Sequence, residues 1–405
     1  MKSIRRFFRK LGPGLVTGAA DNDPSGISTY SVAGATTGYS LLWLSVATLP
    51  MTIAVQGMCA KVGLVTRLGL AAVIRRNYPR WVLYLAAALL IISNIPIIAA
   101  DLLGIAAGLN LLFPGVDITL FIAPVALLIL LVELYESYDT IESALKWLTL
   151  VFFAYIFAAI MAKPDWLFAL HNTLIPHLEW NATFLTIAVA VLGTTITPYL
   201  FFWQSAEEVE ELHTKHTKAS LKDALIDVNA GMLYLHAIVF FIILTTAATL
   251  YSSGVEIRTA ADAARALEPL AGSASTFLFA IGLIGAGALA VPVLTGSTAF
   301  VLAETFGWKD GFEKKVRKAP GFYLTLTASM ILGVIIALSG IDVIKALVLS
   351  QVLAGVIAPI LLVILLLICN NRKIMGKHVN GWYFNLFGSI TVVLMATIAI
   401  AAFVV

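Results

Sequence analysis

The chain has 405 residues, of which 60% are hydrophobic and 12% are charged, and its mean hydropathy is +0.95. Because soluble domains are roughly 45–50% apolar and 25% charged, this composition excludes a soluble globular protein and indicates an all-helical integral membrane protein. The formal net charge of +3 gives no reason to expect a nucleic acid partner, and the two cysteines are too few for a disulfide framework or a thiolate metal site.

Apolar stretches of about 17–25 residues, the length that crosses a bilayer as a helix, recur along the whole chain. Residues 1–10 are basic, but no A-x-A cleavage pattern follows them, so we do not expect a cleaved signal peptide. The sequence predicts about eleven transmembrane helices and no separate soluble domain. The predicted spans are 11–34, 38–63, 81–110, 116–135, 144–162, 182–206, 225–250, 273–303, 321–340, 343–369 and 382–404.

Lysine and arginine fall mainly in alternate connections between the predicted spans. Cytoplasmic connections of membrane proteins are enriched in these residues. We therefore expect the N-terminus in the cytoplasm and, after an odd number of spans, the C-terminus outside. The connections predicted to be outside contain little beyond Lys163, Arg258 and Arg265, whereas the others contain Arg67, Arg75, Arg76, Arg80, Lys146, Lys215, Lys218, Lys222, Lys309, Lys314, Lys315, Arg317, Lys318, Arg372, Lys373 and Lys377.

The first predicted span is interrupted by a polar segment. Residues 18–26 read Gly-Ala-Ala-Asp-Asn-Asp-Pro-Ser-Gly between apolar residues. Proline lacks a backbone donor and clashes with the preceding turn, so the helix should unwind at Pro24. In a bilayer, unpaired backbone groups persist only where they line a cavity or meet a ligand. Because Asp21 and Asp23 lie where charge is most costly, the break predicts a cation site.

The sixth predicted span carries a second interruption. Residues 192–199 read Leu-Gly-Thr-Thr-Ile-Thr-Pro-Tyr, and Pro198 should unwind this helix as well. Interrupted helices five spans apart indicate two five-helix repeats, which must be inverted because each has an odd number of spans. We expect the first repeat at 11–163, the inverted repeat at 182–369 and an extra helix at 382–404, with both breaks at the midplane.

The polar residues of the two breaks offer hard oxygen ligands, the type that Mg²⁺, Mn²⁺ and Ca²⁺ prefer. Aspartate is also a favoured N-cap, so either aspartate could instead cap the half-helix that follows, and capping and ion binding can coexist. We expect Asp23 to be the principal ligand, whereas Asp21 could face a water-filled vestibule. The candidate ligands are Asp21, Asn22, Asp23 and Ser25 at the first break and Thr194, Thr195 and Thr197 at the second.

Other polar residues lie within or beside the predicted spans. Asp101 in the third span could accept a proton, lie on the ion path or pair with Asn94 or another buried polar group. Gln351 in the tenth span could give an amide oxygen to the ion or only bond across helices. The acidic residues near inner helix ends could form a cation vestibule, but we expect them to be solvated. They are Glu133, Glu136, Asp139, Glu142, Glu207, Glu208, Glu210 and Glu211.

Motifs along nearly the whole chain resemble the Nramp family of divalent metal transporters. The resemblance implies a LeuT-like fold of inverted repeats that works by alternating access, with the transported metal bound between the two breaks. The motifs are Gly12-Pro13-Gly14, Asp23-Pro24, residues 38–43 (GYSLLW), Ala100-Asp101-Leu102, residues 109–113 (LNLLF), Leu294-Thr295-Gly296 and residues 349–352 (LSQV).

The metal ligands depart from the pattern of that family. Where the family has Asp-Pro-Gly-Asn, this chain has Asp-Pro-Ser-Gly, so Asp23 remains but the asparagine ligand becomes Gly26. Where the family has Met-Pro-His, this chain has Thr197-Pro198-Tyr199. A methionine sulfur favours softer transition metals, and a hydroxyl in its place removes that preference.

The proton route of the family is also largely missing. That route uses the histidine replaced here by Tyr199 and a glutamate at the position of Gly104, and only Asp101 remains. These departures resemble the Nramp-related magnesium transporters, a prokaryotic branch that carries Mg²⁺ and also Mn²⁺. Mg²⁺ dehydrates reluctantly, and small residues such as Ser25 and Gly26 leave room for a hydrated ion.

We therefore expect a transporter in the inner membrane of a prokaryote that carries Mg²⁺ and Mn²⁺ without proton coupling. It should need no cofactor. It should lie in the lipid bilayer, and no obligate protein partner is evident. Four alternatives remain. A proton-coupled Mn²⁺ and Fe²⁺ importer would use Asp101 alone as proton acceptor. An amino acid carrier of the same fold would bring a carboxylate against Asp21 and Asp23, which would repel it.

The other two alternatives are an intramembrane enzyme and a receptor. An aspartyl enzyme would pair Tyr138-Asp139 with a Gly-x-Gly-Asp motif, which the sequence lacks, and a serine enzyme would need a nucleophile motif to match His236. We therefore expect no enzymatic activity. A receptor of this fold would need a signalling domain, and none is apparent.

Overall fold

The computed structural model describes residues 12–135, 153–214 and 220–405. Within these ranges the regular secondary structure is entirely helical, as predicted. Short 3₁₀ turns join some of the helices. The helices are α1 (Pro13–Ala20), α2 (Pro24–Thr37), α3 (Leu42–Ala47), α4 (Leu49–Thr66), α5 (Leu70–Asn77), α6 (Arg80–Leu112), α7 (Thr119–Tyr135), α8 (Phe153–Met161), α9 (Trp166–Leu174), α10 (Ala182–Thr195), α11 (Pro198–Thr214), α12 (Leu221–Thr249), α13 (Ala260–Ala264), α14 (Glu268–Ala271), α15 (Ser275–Phe306), α16 (Pro320–Ala337), α17 (Val343–Asn370), α18 (Arg372–Met375) and α19 (Trp382–Val404).

The helices match the predicted spans. In the described residues, eight helical stretches are long and apolar enough to cross a membrane, and α10 with α11 counts as one of them. The pair α1 and α2, the shorter α7, and α8 lie at the three other predicted positions. Only the last part of the fifth predicted span lies in the described residues. The chain is a multi-pass membrane protein, and large exposed apolar side chains such as Leu127 and Leu128 suit contact with lipid.

Both predicted interruptions are present. Helix α1 ends at Ala20 and α2 begins at Pro24, while α10 ends at Thr195 and α11 begins at Pro198. Proline is favoured as the first helical residue because the N–H that it lacks would have no helical partner there. Each proline therefore starts a new half-helix, and the residues before it leave the helical conformation.

The breaks lie in the interior of the bundle. Helix α6 packs along α15, α10 along α17, and α12 along α1. These contacts surround the half-helices, so the side chains of Asp21, Asp23 and Thr197 are each only 1% exposed. The bundle therefore isolates both breaks from bulk solvent.

Several basic connections meet at one end of the bundle. Arg75, in α5, donates to the carbonyl of Glu304 at 3.3 Å, which joins the connection after α4 to the end of α15. Lys61, near the end of α4, donates to Oδ1 of Asn380 at 2.5 Å. We call this end, formed by residues 67–79, 307–319 and 371–381, the basic end.

Candidate metal site

The two breaks meet inside the bundle. The hydroxyl of Thr197 donates to Oδ1 of Asp21 at 2.9 Å. The hydroxyl of Tyr199 donates at 3.3 Å to the carbonyl of Ala20, which the end of α1 leaves without a helical partner. These bonds cross from one broken helix to the other. We call the meeting point, residues 21–23 with residues 194–197, the junction.

Asp23 is held by its backbone position and keeps an oxygen for a ligand. It is the N-cap of α2, with extended backbone, and its Oδ1 accepts from the amide of Gly26. Among the described residues, its Oδ2 accepts only from Nε2 of Gln351, in α17, at the long distance of 3.5 Å. Capping therefore uses one carboxylate oxygen and leaves the other toward Gln351. Rotation of the Gln351 amide would turn its carbonyl oxygen toward an ion at Oδ2.

Asp101 lies beside the first break and bonds to it. Its Oδ1 accepts from the Ser25 hydroxyl at 2.6 Å and from the Ser25 amide at 3.1 Å. The buried polar partner of Asp101 is therefore Ser25 and not Asn94, which donates to Ser297 at 2.9 Å and Thr298 at 3.0 Å. Asp101 thus holds the first turn of α2, and the Ser25 hydroxyl is directed toward Asp101.

Several buried oxygens around the junction lack a protein partner. A buried polar atom without a hydrogen bond costs about 1–3 kcal/mol, so such atoms are rare in proteins. Their concentration here fits a site whose ligand or its water shell supplies hydrogen atoms or positive charge. In the described residues they are Oδ2 of Asp21, Oδ1 of Asn22, Oδ2 of Asp101 and Oε1 of Gln351.

Gly26 is closely packed between the two breaks. A Cβ at this position would lie 2.8 Å from Oγ1 of Thr194, 3.0 Å from the carbonyl of Asp21 and 3.0 Å from Oδ1 of Asp23. Any side chain would therefore crowd oxygens from both breaks. Thr195 differs from its neighbours, because its hydroxyl donates within α10 to the carbonyl of Val191 at 2.8 Å.

The polar groups of the junction are oxygens, and few of the side chains that could coordinate an ion there are charged. Among the described residues, no group of three His, Cys, Asp or Glu side chains is arranged to hold a metal ion. An ion at Asp23 would therefore complete its coordination with neutral oxygens, from Gln351, Thr194, backbone carbonyls or water. Hydroxyl, amide and water oxygens are ligands of hard divalent cations.

In the acidic run on α11, Glu207, Glu208 and Glu210 are buried and Glu211 is half-buried, so the prediction that the run is solvated is wrong for the first three. Glu207 is 3% exposed and Glu208 is 2% exposed, because this face of α11 packs against α4. Gln204 links Glu208 to the first broken helix: its amide donates to Glu208 at 2.9 Å, and its carbonyl oxygen accepts from Thr17 at 2.6 Å. Glu207 and Glu208 thus lie between the junction and the basic end.

Glu133 is a buried carboxylate that we expected to be solvated, and that expectation is wrong. It is 1% exposed and accepts from the Thr295 hydroxyl, in α15, at 2.5 Å. Its position inside the predicted span 116–135 was a signal for burial, because intramembrane carboxylates face the protein interior. The structure does not describe Glu136, Asp139 and Glu142.

Two further features were not apparent from sequence. Asp227 of α12 accepts from the amides of Gly12 at 2.9 Å and Gly14 at 2.7 Å, so it caps the start of α1. Gly104 faces Pro24, and a Cβ at this position would overlap the proline ring. A glutamate at position 104 would therefore displace the first break in this arrangement.

Sequence comparison identifies related proteins over almost the full chain. The Nramp profile, described as natural resistance-associated macrophage protein-like, matches residues 14–405. The divalent metal cation transporter MntH of Yersinia pestis is 31% identical over 408 residues, which cover 96% of this chain and 95% of that protein. The protein of the same name from Caldanaerobacter subterraneus is 28% identical over 396 residues, covering 93% and 88%.

Solved structures with the same fold cover the chain equally well. A variant of the manganese transporter of Eremococcus coleocola superposes with a TM-score of 0.79 at 20% identity, covering 98% of this chain and 86% of that one. Mhp1, a transporter of the nucleobase-cation-symport-1 family, superposes with a TM-score of 0.59 at 12% identity, covering 97% of this chain and 90% of that one. MhsT in complex with L-phenylalanine superposes with a TM-score of 0.59 at 13% identity, covering 96% of this chain and 97% of that one. The predicted LeuT-like fold is confirmed.

Proposed function

The chain belongs to the Nramp family of divalent metal transporters, and we propose that its main substrate is Mg²⁺, carried with several of its waters, and that Mn²⁺ is a second substrate. The observation that carries this proposal is the all-oxygen junction, where Thr197 bonds to Asp21 and Gly26 lets oxygens of the two breaks lie close together. Mg²⁺ prefers oxygen ligands, retains waters and commonly uses only one or two carboxylates.

In the proposed site Asp23 is the principal ligand through Oδ2. Gln351 and Thr194 supply neutral oxygens, and Asp21 contacts the water shell on the side of Thr197. Ser25 positions α2 through its bonds to Asp101. Thr195 contributes through its backbone, because its hydroxyl bonds within α10.

We also propose that transport is not coupled to protons. Tyr199 bonds to the carbonyl of Ala20, and Gly104 packs against Pro24, so neither offers a group that titrates near neutral pH. Uptake does not require such coupling, because a membrane potential of about 100 mV favours inward movement of a dication by about 4.6 kcal/mol.

The proposed orientation places the N-terminus and the basic end in the cytoplasm and the C-terminus outside, in the inner membrane of a prokaryote. The excess of lysine and arginine at that end supports it. We further propose repeat boundaries at 11–163 and 182–369, followed by the extra helix at 382–404. In this arrangement Glu207 and Glu208 lie on the cytoplasmic side of the site and form part of the ion path.

A second candidate function is proton-coupled Mn²⁺ import. Besides Asp21, the buried carboxylates of Asp101 and Glu133 each have an oxygen without a hydrogen-bond partner in the described residues, and either could accept a proton. The solved manganese transporter of the same fold favours Mn²⁺ as the ion in this alternative.

Uptake into proteoliposomes distinguishes the two functions. Vesicles would contain a magnesium-sensitive dye or a pH-sensitive dye, with an inside-negative potential set by potassium and valinomycin. The proposal expects saturable Mg²⁺ entry without a change in internal pH. Mn²⁺ entry accompanied by acidification, with no Mg²⁺ signal, would contradict it and support the second candidate.

A further inference from the structure

A charged cleft lies at the basic end, apart from the junction. It has a volume of about 450 Å³, in the range of small-molecule sites. The α5 connection, α11 and the end of α15 form its walls. The charged and aromatic residues that line the cleft are Arg67, Arg75, Arg76, Glu304, Trp308 and Asp310.

The cleft is built by specific contacts between its walls. Ser205, in α11, accepts from the amide of Leu70 at 3.0 Å, and the Glu304 carboxylate accepts from the amide of Ala72 at 3.0 Å. The start of α5 is thus fixed to α11 and α15. The Glu304 carboxylate is directed at the α5 backbone, which leaves the arginines as the main charged donors in the cleft.

The three arginines have different roles. Arg75 donates to the carbonyl of Glu304 at 3.3 Å and packs against Gly307, so it caps the end of α15. Arg67 and Arg76 are exposed and form no side-chain hydrogen bond or ion pair with any residue in 12–135, 153–214 or 220–405. Two guanidinium groups therefore face the cleft without an acidic partner from the part of the chain that the structure describes.

The backbone of Arg67 is unusual. Its φ is 55°, in the left-handed region that costs a residue with a Cβ about 1–2 kcal/mol relative to glycine. Glycine is the usual residue at such a helix end. An arginine here keeps a positive charge at the mouth of the cleft despite this cost, which is typical of a functional position.

We propose that this cleft binds a phosphate-bearing ligand through Arg67 and Arg76. Guanidinium groups bind phosphate with paired, charge-assisted hydrogen bonds, and Trp308 offers an aromatic surface beside them. Phosphate of this chemistry is present in soluble nucleotides and in the headgroups of anionic lipids. Because Val209 of the half-helix α11 also lines the cleft, an occupant contacts the helix that begins at the second break.

The test uses the full-length protein in phosphatidylcholine nanodiscs and a double variant, Arg67→Gly with Arg76→Gln. Glycine removes the charge and suits the φ of 55°, so the variant should fold. The matched control is Arg80→Gln, which removes an exposed arginine at the start of α6 that does not line the cleft. Unfolding midpoints within about 2 °C of the wild type in phosphatidylcholine establish that both variants fold.

Binding of radiolabelled ATP in EDTA, without metal, is the first measurement. Saturable binding that weakens about tenfold in the double variant, stays within about twofold in the control and falls with added KCl supports the proposal with a soluble ligand.

The second measurement repeats the unfolding experiment with about 30% phosphatidylglycerol in the nanodiscs. A stabilisation that the control keeps and the double variant loses supports the proposal with a lipid phosphate. If neither ATP nor phosphatidylglycerol distinguishes the double variant from the control, the proposal is overturned.

Discussion

The hydroxyl of Thr197 donates a hydrogen bond of 2.9 Å to Oδ1 of Asp21, which joins the second broken helix directly to the first. The carbonyl of Thr194 lies 2.7 Å from the same hydroxyl, whose one hydrogen is shared between the two acceptors, so Thr197 also stabilises its own break. One side chain therefore sets both the geometry of the second break and the position of a carboxylate in the first. In the proposed site, ion selectivity and the stability of the junction would both depend on this residue.

Replacing Thr197 with valine tests this link. Valine has a similar shape but leaves Asp21 Oδ1 buried without a donor, at a cost of about 1–3 kcal/mol. We expect Mg²⁺ uptake in proteoliposomes to fall about tenfold. The control is Thr195→Val, whose lost hydroxyl bonds only within α10, and its uptake should stay within about threefold of the wild type. Equal effects of the two substitutions would show that the contact with Asp21 has no special role.

Gly26 should be sensitive to any side chain. In Gly26→Ala the new Cβ would lie 2.8 Å from Oγ1 of Thr194, so the oxygens of the two breaks would have to move apart. We expect Mg²⁺ uptake to fall more than Mn²⁺ uptake, because Mg²⁺ retains its waters more strongly. The relative uptake of the two ions measures this, with Gly115→Ala as control, since a Cβ at Gly115 meets nothing within 4 Å. An unchanged ion ratio would argue against a hydrated substrate.

Glu133 should be structural if transport is uncoupled. Glu133→Gln keeps an oxygen that accepts from Thr295, so we expect Mg²⁺ uptake and its dependence on external pH to remain within about twofold of the wild type. Glu133→Ala leaves a cavity and an unpaired hydroxyl, costing about 2–4 kcal/mol, and should lower the unfolding midpoint. Should Glu133→Gln abolish a pH-dependent part of uptake, Glu133 would instead carry protons.

The sequence predicted the fold and the breaks because both depend on local patterns. Apolar length placed the spans, and Pro24 and Pro198 placed the interruptions, since proline acts on its own helix whatever surrounds it. The partners of the site residues were not predictable in the same way. Whether Asp101 meets Ser25 or Asn94 depends on the rotation of α6 against its neighbours, which the sequence pattern does not determine.

The burial of the acidic residues was also not predictable from the sequence pattern. Glu207 and Glu208 have the sequence of a solvated helix end, but α11 packs this face against α4, and Gln204 and Thr17 provide polar contacts nearby. Glu133 lay within a predicted span, yet its neighbours on the following loop suggested solvent. Tertiary packing, rather than local composition, decided both cases.

The most direct test of the account is Mg²⁺ uptake by Asp23→Asn. Asparagine is also a good N-cap, so it can still accept from the amide of Gly26 while losing the negative charge. The control is Asp342→Asn, which makes the same change at the exposed N-cap of α17. We predict that Asp23→Asn loses saturable Mg²⁺ uptake, by about a hundredfold or more, while Asp342→Asn transports as the wild type does. Undiminished Mg²⁺ uptake by a folded Asp23→Asn protein would contradict the proposed site.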